Sequence, residues 1–179
     1  MTVVIASDLH GSSLWTKRLL RACEAEKASQ LLLLGDLLYH GPRNPLPEEY
    51  DPKAVVEMLN AWRSKIIAIR GNCDAEVDSM LLQFPLVESA LLFLDGHRFY
   101  CTHGHHYNPE NLPPLAAGDL LLYGHTHLYQ MEKQAEIWCL NPGSVALPKN
   151  GQAETYMIYR NHECTIKSMD GVEILRQKL

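Results

Sequence analysis

Three short apolar runs, each followed by a helical pattern, constrain the fold of this chain most strongly. They cover residues 2–7, 31–34 and 65–70. They are rich in β-branched residues and leucine, as is typical of strands that are buried on both faces. Helical spacing of apolar residues predicts helices after them over 12–27, 52–63 and 75–83. Strands that alternate with helices in this way predict βαβ units and a parallel sheet.

From about residue 90 onward, hairpin signals replace these crossovers. Asp95-Gly96 and Asn161-His162 are typical of tight turns between antiparallel strands. Further β-rich runs cover 90–94, 98–102, 119–123, 136–140, 154–159 and 163–169. The pattern predicts an α/β fold with two packed β-sheets and helices outside. A chain of 179 residues is about the length of one domain, so we expect a single domain over 1–179.

Charge and cysteine content exclude several classes of function. The net charge is -5, and Lys and Arg form no run longer than two, so we expect no stable nucleic acid complex and a compact substrate instead. No apolar run approaches the ~20 residues of a membrane helix, and no basic segment precedes the first strand, so neither a membrane anchor nor secretion is expected. Five cysteines without a Cys-x-x-Cys pair fit a reducing, cytoplasmic location.

Polar side chains follow each of the first three predicted strands. Asp8 and His10 come after the first, Asp36 after the second and Asn72 after the third. Each motif alone is also typical of a loop cap or a tight turn. Open α/β sheets, however, place their ligands at the carboxyl ends of their strands, where all three motifs would meet. In an extended chain, residues two apart point to the same side, so Asp8 and His10 are expected to bind one ion together.

Two glycine-flanked histidine clusters, at 102–106 and 123–127, follow later apolar runs and enlarge this set of donors. The candidate metal ligands are three oxygen donors and four imidazoles: Asp8, Asp36, Asn72, His10, His103, His125 and His127. That is too many for one ion, whereas two ions roughly 3.5–4 Å apart that share a carboxylate would use them all. Nitrogen and oxygen donors without thiolate suit Mn, Fe, Zn, Co or Ni, and we expect two divalent ions, with Mn the first choice.

The order of these motifs resembles that of a known family. Asp-x-His, Gly-Asp, Gly-Asn-x-Asp, Thr-His-Gly-His and Gly-His-Thr-His occur between residues 8 and 127, in the order found in calcineurin-like metallophosphoesterases. The turn at 141–144, the Gly-Pro-Arg-Asn loop and the Gly-Asn-Cys-Asp block resemble the small bacterial and archaeal branch of YfcE-type phosphodiesterases. The resemblance implies a four-layer αββα sandwich of two mixed sheets flanked by helices. The resemblance is also compatible with a homo-oligomer, but it does not define the symmetry of that oligomer.

The resemblance also divides the ligands between two metals. It implies Asp8, His10, Asp36 and His127 on one ion, and Asp36, Asn72, His103 and His125 on the other, with Asp36 bridging. The expected function is a binuclear metal-dependent phosphodiesterase for a small phosphodiester substrate, acting by attack of a metal-bridging hydroxide.

Other residues are candidates for catalysis or substrate contact. Asn72 is expected to contact the phosphate, and His105 to orient it or tune a ligand. Cys73 stands where the larger family usually has a histidine. A thiol is a poor acid near pH 7, so good leaving groups should be favoured, unless Cys73 is simply a packed side chain. Two proline-rich loops, 41–47 and 108–114, could form walls of the site, and the first brings Arg43 and His40 toward the substrate.

Several alternatives stay open at this level. A phosphomonoesterase or a nuclease would use a similar centre, although the lack of a basic stripe weakens the nuclease. A non-catalytic protein-interaction scaffold of the retromer-subunit type shares the fold, but here every ligand position holds a competent residue. Metal storage or sensing would more naturally use thiolates or a DNA-binding element.

Overall fold

The computed structural model describes all residues from 1 to 179 and contains two mixed β-sheets. The strands are β1 (Thr2–Ala6), β2 (Gln30–Leu33), β3 (Ile66–Ile69), β4 (Leu86–Val87), β5 (Ala90–Leu94), β6 (His97–Cys101), β7 (Leu120–Leu122), β8 (Tyr129–Gln134), β9 (Ile137–Pro142), β10 (Thr155–Arg160), β11 (Glu163–Ser168) and β12 (Glu173–Lys178). The helices are α1 (Ser13–Ala25), α2 (Pro52–Ala61) and α3 (Asp78–Leu81), and one 3-10 turn covers Arg63–Lys65. No helix meets the length and hydropathy that a bilayer crossing requires.

The first sheet has seven strands in the order β12-β11-β10-β1-β2-β3-β4. β1 to β4 run parallel, and β10 pairs antiparallel with β1. Ser12 and Asp51 begin the two long helices, since their side chains accept the backbone N–H of Trp15 and Ala54. The βαβ units predicted from the sequence are therefore present, although the third helix is only one turn long.

The second sheet has the order β5-β6-β7-β9-β8 and corrects one expectation. Hairpins replace crossovers only in part after residue 90: β5–β6, β8–β9, β10–β11 and β11–β12 are antiparallel, but β6, β7 and β9 run parallel to one another. The crossover between β6 and β7 contains no helix. The two predicted turns are present: Asp95-Gly96 joins β5 to β6 and Asn161-His162 joins β10 to β11, each with positive φ at both residues.

Alternate residues of the central strands face two different cores. Val3 and Ile5 pack between the sheets with residues such as Phe99 and Leu140, whereas Val4 and Ala6 pack against the helices. All three helices lie on the side of the first sheet, where α1 and α2 pack together and Asn60 of α2 bonds Leu81 O of α3. The outer face of the second sheet is covered by the loop that carries Leu112 and Leu115. The predicted fold class is confirmed, with a loop as its outermost layer on that side.

Candidate metal centre

The backbone at the strand ends adopts an uncommon conformation. Five of the predicted ligands have left-handed φ angles, with values of 59° for Asp8, 47° for His10, 56° for Asp36, 67° for His125 and 62° for His127. This region is unfavourable for residues other than glycine, and such strain tends to cluster at functional sites. Asp8 and His10 therefore do come together, but not because the chain is extended there: β1 ends at Ala6, and a tight loop turns both side chains inward.

One group of donors comes from the loops after β1 and β7. His10 Nε2 lies 3.2 Å from His127 Nε2, and Asp8 Oδ1 lies 3.7 Å from the first nitrogen and 3.4 Å from the second. All three side chains are buried. Asp8 Oδ1 has no hydrogen-bond partner, an unusual state for a buried carboxylate oxygen.

A second group surrounds Asp36, which follows β2. His103 Nε2 lies 3.4 Å from Asp36 Oδ2 and 3.0 Å from Asn72 Oδ1. The same Asp36 oxygen is 3.7 Å from His10 Nε2, so this carboxylate lies between the two groups. The His125 ring lies 5.1 Å from the His103 ring, centre to centre, and its backbone N–H donates to Asp8 Oδ2. All seven predicted ligands thus meet at one edge of the two sheets.

Hydrogen bonds from the far side of three histidine rings determine their tautomers. His10, His103 and His127 each place Nδ1 within 2.8 Å of a backbone carbonyl, those of Tyr39, Leu34 and Leu147 respectively. A carbonyl only accepts, so each Nδ1 carries a proton, and each Nε2, which faces the carboxylates, is the nitrogen that a metal would bind. Two Nε2 atoms 3.2 Å apart beside an unpartnered carboxylate oxygen require a cation or a proton between them. The residues therefore fit a divalent metal.

The electrostatics of the group are consistent with this fit. Burial disfavours charge on Asp8, yet His10, His103 and His127 together hold the pKa of Asp8 below its ordinary value. Burial also opposes charge on His103, but Asp36 and Asp8 raise the pKa of His103 to about 9. Burial, with the nearby charge of His103, lowers the pKa of His125 to about 4. The carboxylates are thus held ionised by positive charge beside them, a role that a bound cation would also fill.

Asp74 is a residue whose role the sequence analysis missed. Its buried carboxylate accepts backbone N–H groups of Asp36 at 2.8 Å, Leu37 at 2.8 Å and Gly71 at 2.7 Å. It therefore joins the loop after β2 to the loop after β3. Gly71 allows the close approach, because a Cβ atom there would lie 2.1 Å from Asp36 Oδ1. The only sequence signal was its place at the end of the Gly-Asn-Cys-Asp motif.

The end of β9 and the turn that follows it hold two of the ligand-bearing loops in place. The Ser144 hydroxyl donates to the backbone oxygen of Asp8 at 2.9 Å, and Asn141 Nδ2 donates to that of Gly124 at 2.9 Å. The sequence showed this turn only as part of the family resemblance. Its contacts show that it fixes the loops that carry Asp8 and His125.

A cavity of about 820 Å³ opens above the centre. Asn72, Cys73 and Arg43 are among the residues that line it, together with Lys149, which the sequence analysis did not consider. His40 is not, since its ring lies against Tyr39 and Tyr50. The first proline-rich loop therefore forms a wall of the cavity, whereas the second covers the outer face of the second sheet.

His105 and Cys73 lie beside the centre in different ways. The His105 ring lies 5.4 Å from that of His103, centre to centre, outside the cavity lining, and burial lowers its pKa. The Cys73 thiol is half-buried and close to His10 and Asp36. Burial, followed by the Asp36 charge, raises the pKa of Cys73 to about 12.

Comparison with known proteins agrees with this geometry. Residues 1–163 match the calcineurin-like phosphoesterase superfamily domain, and the chain belongs to that superfamily of metal-dependent phosphoric ester hydrolases. Phosphodiesterase YfcE of Escherichia coli strain K12 is 46% identical over 178 residues, which cover 99% of this chain and 97% of YfcE. The probable metallophosphoesterase YsnB of Bacillus subtilis is 26% identical over 186 residues, covering 95% and 91% of the two chains. The family predicted from the motifs is therefore confirmed.

Solved structures give the same result for the fold. The structure of YfcE, a phosphoesterase from Escherichia coli, matches with a TM-score of 0.97 and 46% identity, over 99% of both chains. Vps29 of Chaetomium thermophilum matches with a TM-score of 0.64 and 18% identity, over 100% of this chain and 93% of Vps29. At that identity the second match shows a shared fold alone.

Proposed function

We propose that this enzyme is a phosphodiesterase with a binuclear metal centre, acting on a small phosphodiester. The observation that carries the proposal is the position of Asp36, whose Oδ2 lies within 3.7 Å of one imidazole from each donor group. A carboxylate between two sets of ligands is the arrangement that two neighbouring ions need. The near full-length similarity to a protein named as a phosphodiesterase supports a diester as substrate.

The proposed ligand sets follow the two groups of donors. One ion would be held by Asp8, His10, His127 and Asp36, and the other by Asp36, Asn72, His103 and His125. When bound, two such ions supply a hydroxide nucleophile near neutral pH and offset the charge of the phosphate. Nitrogen and oxygen donors favour Mn, with Fe, Ni, Co and Zn as alternatives, although the nearby Cys73 thiol adds a softer donor to the surroundings.

The chain's own groups then bind and orient the substrate. Asn72 is exposed to the cavity, and its amide group can donate to a phosphoryl oxygen while its Oδ1 is held beside His103. His105 packs against His103 and would orient that ligand or the phosphate. Five free thiols are consistent with a cytoplasmic enzyme, and a cavity of about 820 Å³ suits a small molecule better than a nucleic acid duplex.

Metal-dependent hydrolysis tests the function directly. Metal-stripped protein, with Mn, Ni, Co, Zn or Mg added back singly, is assayed with bis(p-nitrophenyl) phosphate and with p-nitrophenyl phosphate. We expect metal-restored activity that is greater on the diester. Higher activity on the monoester would instead support a phosphomonoesterase. Two ions bound per chain without activity on either ester would support the scaffold alternative.

Cys73 should influence the leaving group rather than the metal centre. Its raised pKa makes the thiol a weak proton donor, so replacement by histidine should help poor leaving groups most. For Cys73→His we expect a shallower dependence of kcat/KM on leaving-group pKa across a series of aryl diesters. Cys73→Ser is the matched control and should keep the steep dependence. An equal change for every ester, or a loss of metal in Cys73→Ser, would contradict this role.

A further inference from the structure

The cavity above the metal centre has two walls, and each carries a cation. The first wall is the loop that contains Gly41 and Arg43, held against Cys73: a Cβ atom at Gly41 would lie 3.0 Å from Cys73 Sγ. Asn44 closes this loop by donating its side-chain amide to His40 O at 2.8 Å. Arg43 is exposed within this turn and lines the cavity.

The second wall contains His127 and the segment that ends at Lys149. His127 Nδ1 donates to Leu147 O at 2.6 Å, and Lys149 N donates to His127 O at 3.3 Å. The backbone of Lys149 is thus joined to the loop of a proposed metal ligand. Its side chain is exposed and lines the same cavity as Arg43.

These two side chains form no ion pair within the protein. Neither Arg43 nor Lys149 lies within 4.0 Å of a carboxylate oxygen. The two acidic residues that line the cavity, Asp36 and Asp74, are buried, and their oxygens accept hydrogen bonds from the loop backbone. The exposed charged groups of the cavity are therefore both cations, in a chain whose net charge is -5.

We propose that Arg43 and Lys149 form a subsite for a second anionic group, so that the substrate is a phosphodiester that also bears a carboxylate or a phosphate. This inference rests on the proposed function, which assigns the reacting phosphate to the metal centre beside Asn72. A guanidinium in a closed turn suits the planar fork of a carboxylate or phosphate, and a lysine that lines the same cavity adds a point charge.

Three chromogenic diesters with the same leaving group test the subsite. They are p-nitrophenyl phenyl phosphate, its 4-carboxyphenyl counterpart and p-nitrophenyl phosphorylcholine, which all release p-nitrophenolate. The measured quantity is the ratio of kcat/KM for the carboxylated ester to that for the phenyl ester, in metal-loaded protein. Dividing each variant's ratio by the ratio of the native enzyme cancels the difference in intrinsic reactivity between the two esters.

We expect Arg43→Gln and Lys149→Gln each to lower this ratio by about threefold, and the double variant by roughly tenfold, as exposed charge pairs in a cavity do. The double charge reversal, Arg43→Glu with Lys149→Glu, should shift preference toward the choline ester. Lys53→Gln, an exposed lysine on α2 outside this cavity, is the matched control and should leave the ratio unchanged.

The failure of the subsite is distinguishable from that of the proposed function. An unchanged ratio in the double glutamine variant, with the phenyl ester still hydrolysed, would overturn the subsite alone. If native protein hydrolyses no diester, the proposed function fails. Calorimetric titration with 4-carboxyphenyl phenyl phosphate and diphenyl phosphate then decides on the subsite: tighter binding of the carboxylated ester supports it, and equal affinities overturn it.

Discussion

Asp36→Asn is expected to lower kcat on aryl phosphodiesters by roughly 1,000-fold or more. The amide keeps the size of the side chain, and an oxygen can still accept the backbone N–H of Cys73, which donates to Asp36 Oδ1 at 2.8 Å. What is lost is the negative charge between His10 and His103, 3.7 Å and 3.4 Å from Oδ2. Without that charge, no carboxylate remains to bridge the two proposed ions.

Metal content and folding distinguish this effect from general damage. Elemental analysis should find fewer than two ions bound per Asp36→Asn chain, and circular dichroism of the metal-free variant should match that of the native chain. The matched control is Asp119→Asn, which removes another buried carboxylate, one paired with Arg98 away from the centre. Asp119→Asn should have a lower free energy of unfolding but the same kcat as the native enzyme. Native activity and two bound ions in Asp36→Asn would contradict the proposed role.

Chelation of the metal should lower the melting temperature by roughly 10–20 °C. A ligand at 100 times its dissociation constant stabilises the folded state by about 2.7 kcal/mol, so two such sites give about 5 kcal/mol. For a domain of this size, each kcal/mol shifts the melting temperature by ~2–4 °C. The structural reason is that Asp8 Oδ1 and the Nε2 atoms of His10 and His127 are buried close together, and chelation would leave them without the proposed cation.

Thermal scans of the same preparation with Mn and with excess chelator measure this shift. The Asp36→Asn chain is the internal control, because it should bind metal weakly and respond to chelator much less. Asp170→Asn, at an exposed position, should respond as the native chain does. Equal melting temperatures with and without chelator, for native protein that carried two ions beforehand, would show that the donors do not form a stabilising metal site.

The strands that the sequence analysis missed share a position in the fold. β4, β8 and β12 are three of the four strands at the sheet edges, and most of their side chains are partly or fully exposed. An edge strand buries little, so the apolar run that reveals a central strand is absent. The central strands β1, β2 and β3, buried on both faces, were predicted to within two residues at each end.

The sequence by itself determined the family, the fold class and the chemistry of the donors. Asp8, Asp36 and the glycine-flanked histidines each follow an apolar run, and their spacing along the chain is a local property that needs no tertiary information. The tertiary structure decided how the donors meet. The Asp74 carboxylate that joins two of the left-handed loops, and the lining of one cavity by both Arg43 and Lys149, depend on contacts between distant segments. Such contacts arise only when the two sheets pack, so no local pattern encodes them.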